Sequence, residues 1–130
     1  MYKVANNKVA EIFSGAKTVG KVAQSLRHLD KVIEMANTSM NETVVMCEGN
    51  SLAYVTGING FDVPVDEDAA LVLYKDFRKS LELARATDPE QIAVIHTDDG
   101  DFYVTNVTIE VYNLEENYPD GQLGCRVMLH

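Results

Sequence analysis

Two stretches of this chain switch from β-like patterning to a helical period, and each leaves an apolar stripe that something must cover. Residues 17–36 place Val19, Val22, Ala23, Leu26, Leu29 and Ile33 at helical spacing, which at ~100° per residue gathers them on one side of a helix. Residues 74–86 do the same with Tyr74, Phe77, Leu81 and Ala84. Both stretches sit among short runs rich in β-branched and aromatic residues, so a sheet is the surface available to cover them. The expectation is one α+β domain over residues 1–130, with two helices packed on one face of an antiparallel sheet.

The runs between the helices set an order. Residues 2–5 and 8–13 flank Asn6-Asn7, which predicts a small hairpin or an interrupted strand. Residues 43–48 and 52–58 surround Gly49-Asn50-Ser51 and read as a hairpin, with Asn59-Gly60 leading into a further strand over 61–65. Asp66-Glu67-Asp68 reads as a solvated turn, and 69–73 runs as a strand straight into the second helix. Residues 91–96 and 102–106 flank Asp98-Asp99-Gly100-Asp101, a strong hairpin signal. Residues 108–114 form another strand, 115–121 a loop and 123–129 a short last strand. The chain is thus expected to hold two βαβββ halves.

Charge is distributed unevenly over that plan. The 130 residues carry 11 bases and 20 acids, a net charge of −9. Eight of the bases fall on the two helical stretches: Lys17, Lys21, Arg27 and Lys31 on the first, Lys75, Arg78, Lys79 and Arg85 on the second. Only Asp30, Glu34, Asp76 and Glu82 oppose them there, so these stretches are net +4 in a chain whose remainder is −13. Net acidity disfavours a polyanion, whereas a segregated basic face favours one. On the first helix Lys17, Lys21, Gln24, His28 and Lys31 lie opposite the apolar stripe, with Arg27 at the border. On the second, Glu82 interrupts the bases. A solvated helix face is the plain reading of such a pattern, and a phosphate-contacting surface is the functional one.

Other chemistry lacks a constellation. Cys47 and Cys125 are too few for a disulfide framework or a zinc site and read as buried thiols. His28, His96 and His130 have no metal spacing, and no nucleophile pairs with His96 in sequence. The Asp98–Asp101 loop lacks the distal glutamate of a calcium loop, and the glycines form no phosphate-cradling loop. Neither a catalytic site, a cofactor nor a metal is expected. The amino terminus has no signal-peptide pattern and no apolar run is of membrane-spanning length, so a cytoplasmic protein is expected.

The run from residue 70 to 120 resembles the DNA sliding clamp family, whose bacterial members are polymerase III beta subunits. It contains Leu71-Val72-Leu73-Tyr74-Lys75-Asp76-Phe77-Arg78-Lys79-Ser80-Leu81-Glu82-Leu83, a strand feeding a helix, and ends in Asn117-Tyr118-Pro119-Asp120. Bacterial clamp domains similarly run from a strand into a helix with an early phenylalanine, and finish a strand with an aromatic-Pro-Asp loop. The first half matches in layout only. Clamp subunits contain three such domains, and this chain has length for one. The resemblance implies a non-catalytic processivity factor of DNA replication or repair, an oligomer whose basic helices face duplex phosphates weakly and without sequence preference. Polymerase or other replication proteins would be its partners. The alternative is an acidic protein-interaction module of mobile-element origin, a DNA mimic or inhibitor, using the same fold without binding DNA.

Overall fold

A computed structural model describes residues 4–35, 43–49, 54–64, 72–114 and 118–129. The element order is β1 (Val4–Ser14), α1 (Val19–Met35), β2 (Val44–Glu48), β3 (Val55–Ile58), β4 (Phe61–Asp62), β5 (Val72–Leu73), α2 (Tyr74–Thr87), β6 (Val94–Thr97), β7 (Gly100–Leu114) and β8 (Tyr118–Leu129). This is an α+β chain with two helices and a mostly antiparallel eight-stranded sheet, ordered β4-β3-β6-β7-β8-β2-β5.

The long strand β7 organises the sheet. One edge pairs with β6 over residues 100–103 and then with β1 over 106–114, while the other edge pairs with β8. Because β1 and β8 both run against β7, and β2 runs parallel to β8, α1 crosses over two strands to connect β1 with β2. A parallel partner at that distance needs such a crossover, and a helix supplies it.

Both helices form for the reason their periodicity predicts. Val19, Val22, Ala23, Leu26, Leu29 and Ile33 of α1 and Tyr74, Phe77, Leu81 and Ala84 of α2 are all buried. They meet Val45, Cys47, Val104, Val107, Ile109, Cys125 and Val127 from the sheet. Each large apolar side chain so buried contributes about 1.5–3 kcal/mol.

Thr18 caps α1, its Oγ1 accepting the Lys21 N–H at 3.2 Å. The next orphan donors are satisfied from far away: Val19 N–H donates to the Gln91 carbonyl and Gly20 N–H to that of Pro89, at 2.9 and 2.8 Å. A Cβ on Gly20 would stand 3.0 Å from the Pro89 oxygen, so a larger residue would press that carbonyl back by a few tenths of an ångström. At the start of α2 no side chain caps the helix; the Thr43 carbonyl accepts the Tyr74 N–H at 2.8 Å instead.

Four expectations need correction. The hairpin expected across 43–58 does not form, since β2 pairs with β5 and β8 whereas β3 pairs with β4 and β6. The strands expected at 102–106 and 108–114 are one, because β7 has partners along both edges and no reason to break. The loop expected through 121 ends earlier: β8 begins at Tyr118, which pairs with Leu114 of β7. The first helix begins at Val19, which leaves Lys17 in the connector.

Two turns follow their sequence signals. Asn59 (φ 45°) and Gly60 (φ 91°) make the two-residue β3–β4 hairpin, as Asn-Gly favours. Residues 98–99 turn β6 into β7. The expected interruption at Asn6-Asn7 is a register irregularity within a single strand. The turn expected at Asp66-Glu67-Asp68 lies outside the described residues.

Candidate nucleic-acid interface

The helices lie side by side and run antiparallel. Leu26 and Asp30, late in α1, meet Tyr74 and Arg78 at the start of α2, while the first turn of α1 meets residues 89–91 beyond the end of α2. The sheet covers their apolar sides, so their opposite sides share one outward surface.

The eight basic residues separate into three groups on this frame. Lys21, Arg27 and Lys31 of α1 and Lys75 and Lys79 of α2 are exposed. Among the described residues no carboxylate pairs with any of these five. By helical angle Lys75 and Lys79 lie opposite Phe77 and Leu81, as Lys21 and Lys31 lie opposite Leu26 and Ile33.

Arg78 and Arg85 form the second group, turned toward α1 rather than outward. Arg78 sits 2.9 Å from Asp30 Oδ2 on α1 and donates its Nε–H to Glu82 Oε1 at 2.8 Å. Its guanidinium carbon lies 6.0 Å from the Tyr74 ring centroid, and an N–H donates to the Tyr74 hydroxyl at 2.5 Å. That hydroxyl lies 2.7 Å from Asp30 Oδ1 and 3.2 Å from the Leu26 carbonyl oxygen. Its one proton goes to the carboxylate, the stronger acceptor. Arg85 binds the other oxygen of Glu82 at 2.6 Å.

This chain of five side chains has an electrostatic signature. Burial, then the hydrogen bond to Asp30, push the Tyr74 phenol far above its usual range, against the pull of Arg78. Burial disfavours the charge on Arg78, yet Tyr74, Asp30 and Glu82 more than offset it, and its pKa lies above the ordinary value. Arg78 is thus a fixed cation whose charge is already matched.

Lys17 stands alone in the third group. Its carbonyl accepts the Ala93 N–H at 2.9 Å, and its side chain borders a cleft of about 270 Å³ with Ile92, Tyr103, Val104 and Thr105. Tyr103 and Ile92 follow the strand alternation away from buried Val104 and Ala93. Lys17 therefore borders the opposite face of the sheet and does not extend the α1 row.

A second cleft, of about 340 Å³, opens beside α1 and is lined by Phe13, Ser14, Gly15, Ala16, Lys21, Gln24 and Ser25. The Phe13 ring packs edge-on against His28, with centroids 5.7 Å apart. His28 thus leans on the end of β1, although its helical angle belongs to the outward row.

His96 is a hairpin residue. Its Nε2 accepts the Gly60 N–H at 3.0 Å and its Nδ1 lies 2.7 Å from Asp101 Oδ1, which places the ring proton on Nδ1. Asp98 takes the Tyr54 N–H at 3.1 Å, as a turn residue does. Cys47 and Cys125 are buried thiols on adjacent strands, and burial pushes Cys47 up to about 12. Among the described residues no cluster of histidine, cysteine or carboxylate residues could hold a metal. No helix of the described residues is long and apolar enough to cross a membrane.

The Asp30–Tyr74–Arg78 link was not foreseen from sequence. The spacing of Arg78, Glu82 and Arg85 signals ion pairs along one helix, but nothing local signals that Asp30 joins them. The cleft residues Phe13, Ser14 and Gly15 carry no motif at all.

Comparison with known proteins found no family model, no curated protein and no solved structure that matches this chain.

Proposed function

We propose that this chain is a non-catalytic, sliding-clamp-like protein that holds duplex DNA weakly and without sequence preference on the outward surface of its two helices. One observation carries the reading: five exposed cations with no described carboxylate partner lie on two adjacent helices of a chain whose net charge is −9. The clamp-like layout of one strand, one helix and three strands, given twice, supports it, as does the resemblance of residues 70–120 to that family. A single domain of this size cannot surround a duplex, so encirclement would take further domains, most simply further copies of this chain. Polymerase or other replication proteins are the partners this role implies.

Salt titration tests it. Engagement of all five cations gives a log–log slope near −4.5, and a fall in affinity of about 500-fold between 50 and 200 mM salt. The triple variant Lys21→Glu, Lys31→Glu, Lys79→Glu should abolish binding. Absence of binding by the unaltered protein at low salt would sink the reading. Solution mass, with and without circular duplex, tests ring assembly separately.

A second reading has one observation in its favour. Ile92 and Tyr103 expose more than half of their surface on the sheet face opposite the helices, as a protein-interaction module would. Retention of a protein partner with no DNA affinity would favour it.

A further inference from the structure

The outward cations of α1 have a recess beside their row, which Lys21 lines. We propose that the cleft between the end of β1 and the first turns of α1 seats one phosphodiester of the bound strand. In it, Lys21 supplies the charge, and Gln24 and Ser14 supply the hydrogen bonds. This site rests on the DNA-binding reading and adds to it a place where the strand is anchored.

The lining is suited to that ligand. Lys21, Gln24 and Ser14 are exposed, and among the described residues that line the cleft none is a carboxylate. Ser25 is buried, with its hydroxyl proton given to the Val22 carbonyl at 2.7 Å. Gly15 has φ +75° and no atom within 4 Å of where a Cβ would stand, so the loop wall is low and open. That loop is nonetheless pinned, its Gly15 N–H donating to the Thr105 carbonyl at 3.1 Å. The first-turn amides of α1 play no part, since Thr18, Pro89 and Gln91 already accept their protons.

The row beyond the cleft fits a continuing strand. Lys31 follows Lys21 by ten residues, ~15 Å along the helix. A strand rising ~3.4 Å per base pair covers that distance in about four base pairs. On α2, Arg78 and Arg85 are held by Asp30 and Glu82, which leaves Lys75 and Lys79 as its outward cations.

The experiment compares one added charge at two places. Gln24→Lys puts a cation into the cleft, and Ala86→Lys puts one on the exposed outer side of α2. With a short duplex as probe, Gln24→Lys should steepen the salt slope by about 0.9 and Ala86→Lys should change it less. Gln24→Glu should weaken binding, and backbone amide signals of Ser14, Gly15 and Ala16 should shift as duplex is added. A steeper slope for Ala86→Lys alone, with shifts confined to α2, would overturn the cleft and leave DNA binding standing. Failure of every form to bind duplex would remove both. Inorganic phosphate is the second probe: saturation of the same amides by it as readily as by duplex would overturn assignment to a strand.

Discussion

The two helices start equal and end different. Each stretch carries four bases and two acids, each buries an apolar stripe against the same sheet, and each has an outward side. Yet α1 leaves Lys21, Arg27 and Lys31 without a described acidic partner, whereas half the bases of α2 are committed to Asp30 and Glu82. The difference lies in angle. Arg78 and Arg85 project from the flank beside Tyr74, which faces α1, while Lys75 and Lys79 project from the side opposite the core. A cation beside a neighbouring helix becomes structure, and a cation away from it remains available to a ligand.

The first way to break this comparison is to test whether the helices are equal where they should be. Leu26→Ala and Leu81→Ala each remove a fully buried side chain and should each cost about 2–5 kcal/mol in denaturant unfolding. A large cost on one helix alone would mean that the other is not held by its stripe.

Smaller, and sharper, is the contrast between adjacent residues of α2. Arg78→Met leaves Asp30 and the Tyr74 hydroxyl without their partner and should cost about 1.5–3 kcal/mol, while Lys79→Met should stay within about 0.5 kcal/mol. The cost of Arg78→Met should shrink in an Asp30→Asn background, as coupled sites require. Additive costs would show that the two side chains do not cooperate.

Alkaline pH probes the same link. The folded Tyr74 keeps its proton above pH ~10, where an unfolded tyrosine loses it. Its stabilising effect is therefore fully present below that pH and is lost as the pH rises through the folded value. Unfolding midpoints should fall more steeply above pH ~10 in the unaltered protein than in Tyr74→Phe. Buried Cys47 acts in the same direction, so Cys47→Ala should flatten the remaining slope. Equal pH profiles for all three would refute the buried proton on Tyr74.

The smallest effects concern binding alone. Lys31→Gln should lower the salt slope for duplex by about 0.9, and Lys17→Gln should leave it unchanged. Equal losses would return Lys17 to the α1 row.

Periodicity made the helices legible, since burial on a helix depends on angle and angle is written in spacing. Val19 through Ile33 and Tyr74 through Ala84 are buried as that spacing requires. Turn chemistry was legible too at Asn59-Gly60, where a left-handed pair is needed. Partners were not. Residues 43–48 and 52–58 each read as strand, but the pairing of β2 with β8 and of β3 with β6 depends on residues far along the chain. The same limit applied to the interface: the sequence showed that Arg78 is basic and near Glu82, but only packing shows Asp30 beside it. Lys17 was misplaced for a local reason, because Thr18 caps the helix and ends the wheel one residue after it.

The central place of β7 bears on how such a chain is made. Val4 at the start of β1 pairs with Leu114 at the end of β7, so β1 waits for a partner made about 110 residues later. At about 5–20 residues per second that delay is several seconds or more. Until β7 is made, β1 lacks its described partner strand and both apolar stripes lack Val104, Val107 and Ile109 to cover them. Sequence separation this long slows folding, and the two βαβββ halves cannot mature one after the other. The chain closes only when its final third arrives, and it should depend more on protection during synthesis than its modest length suggests.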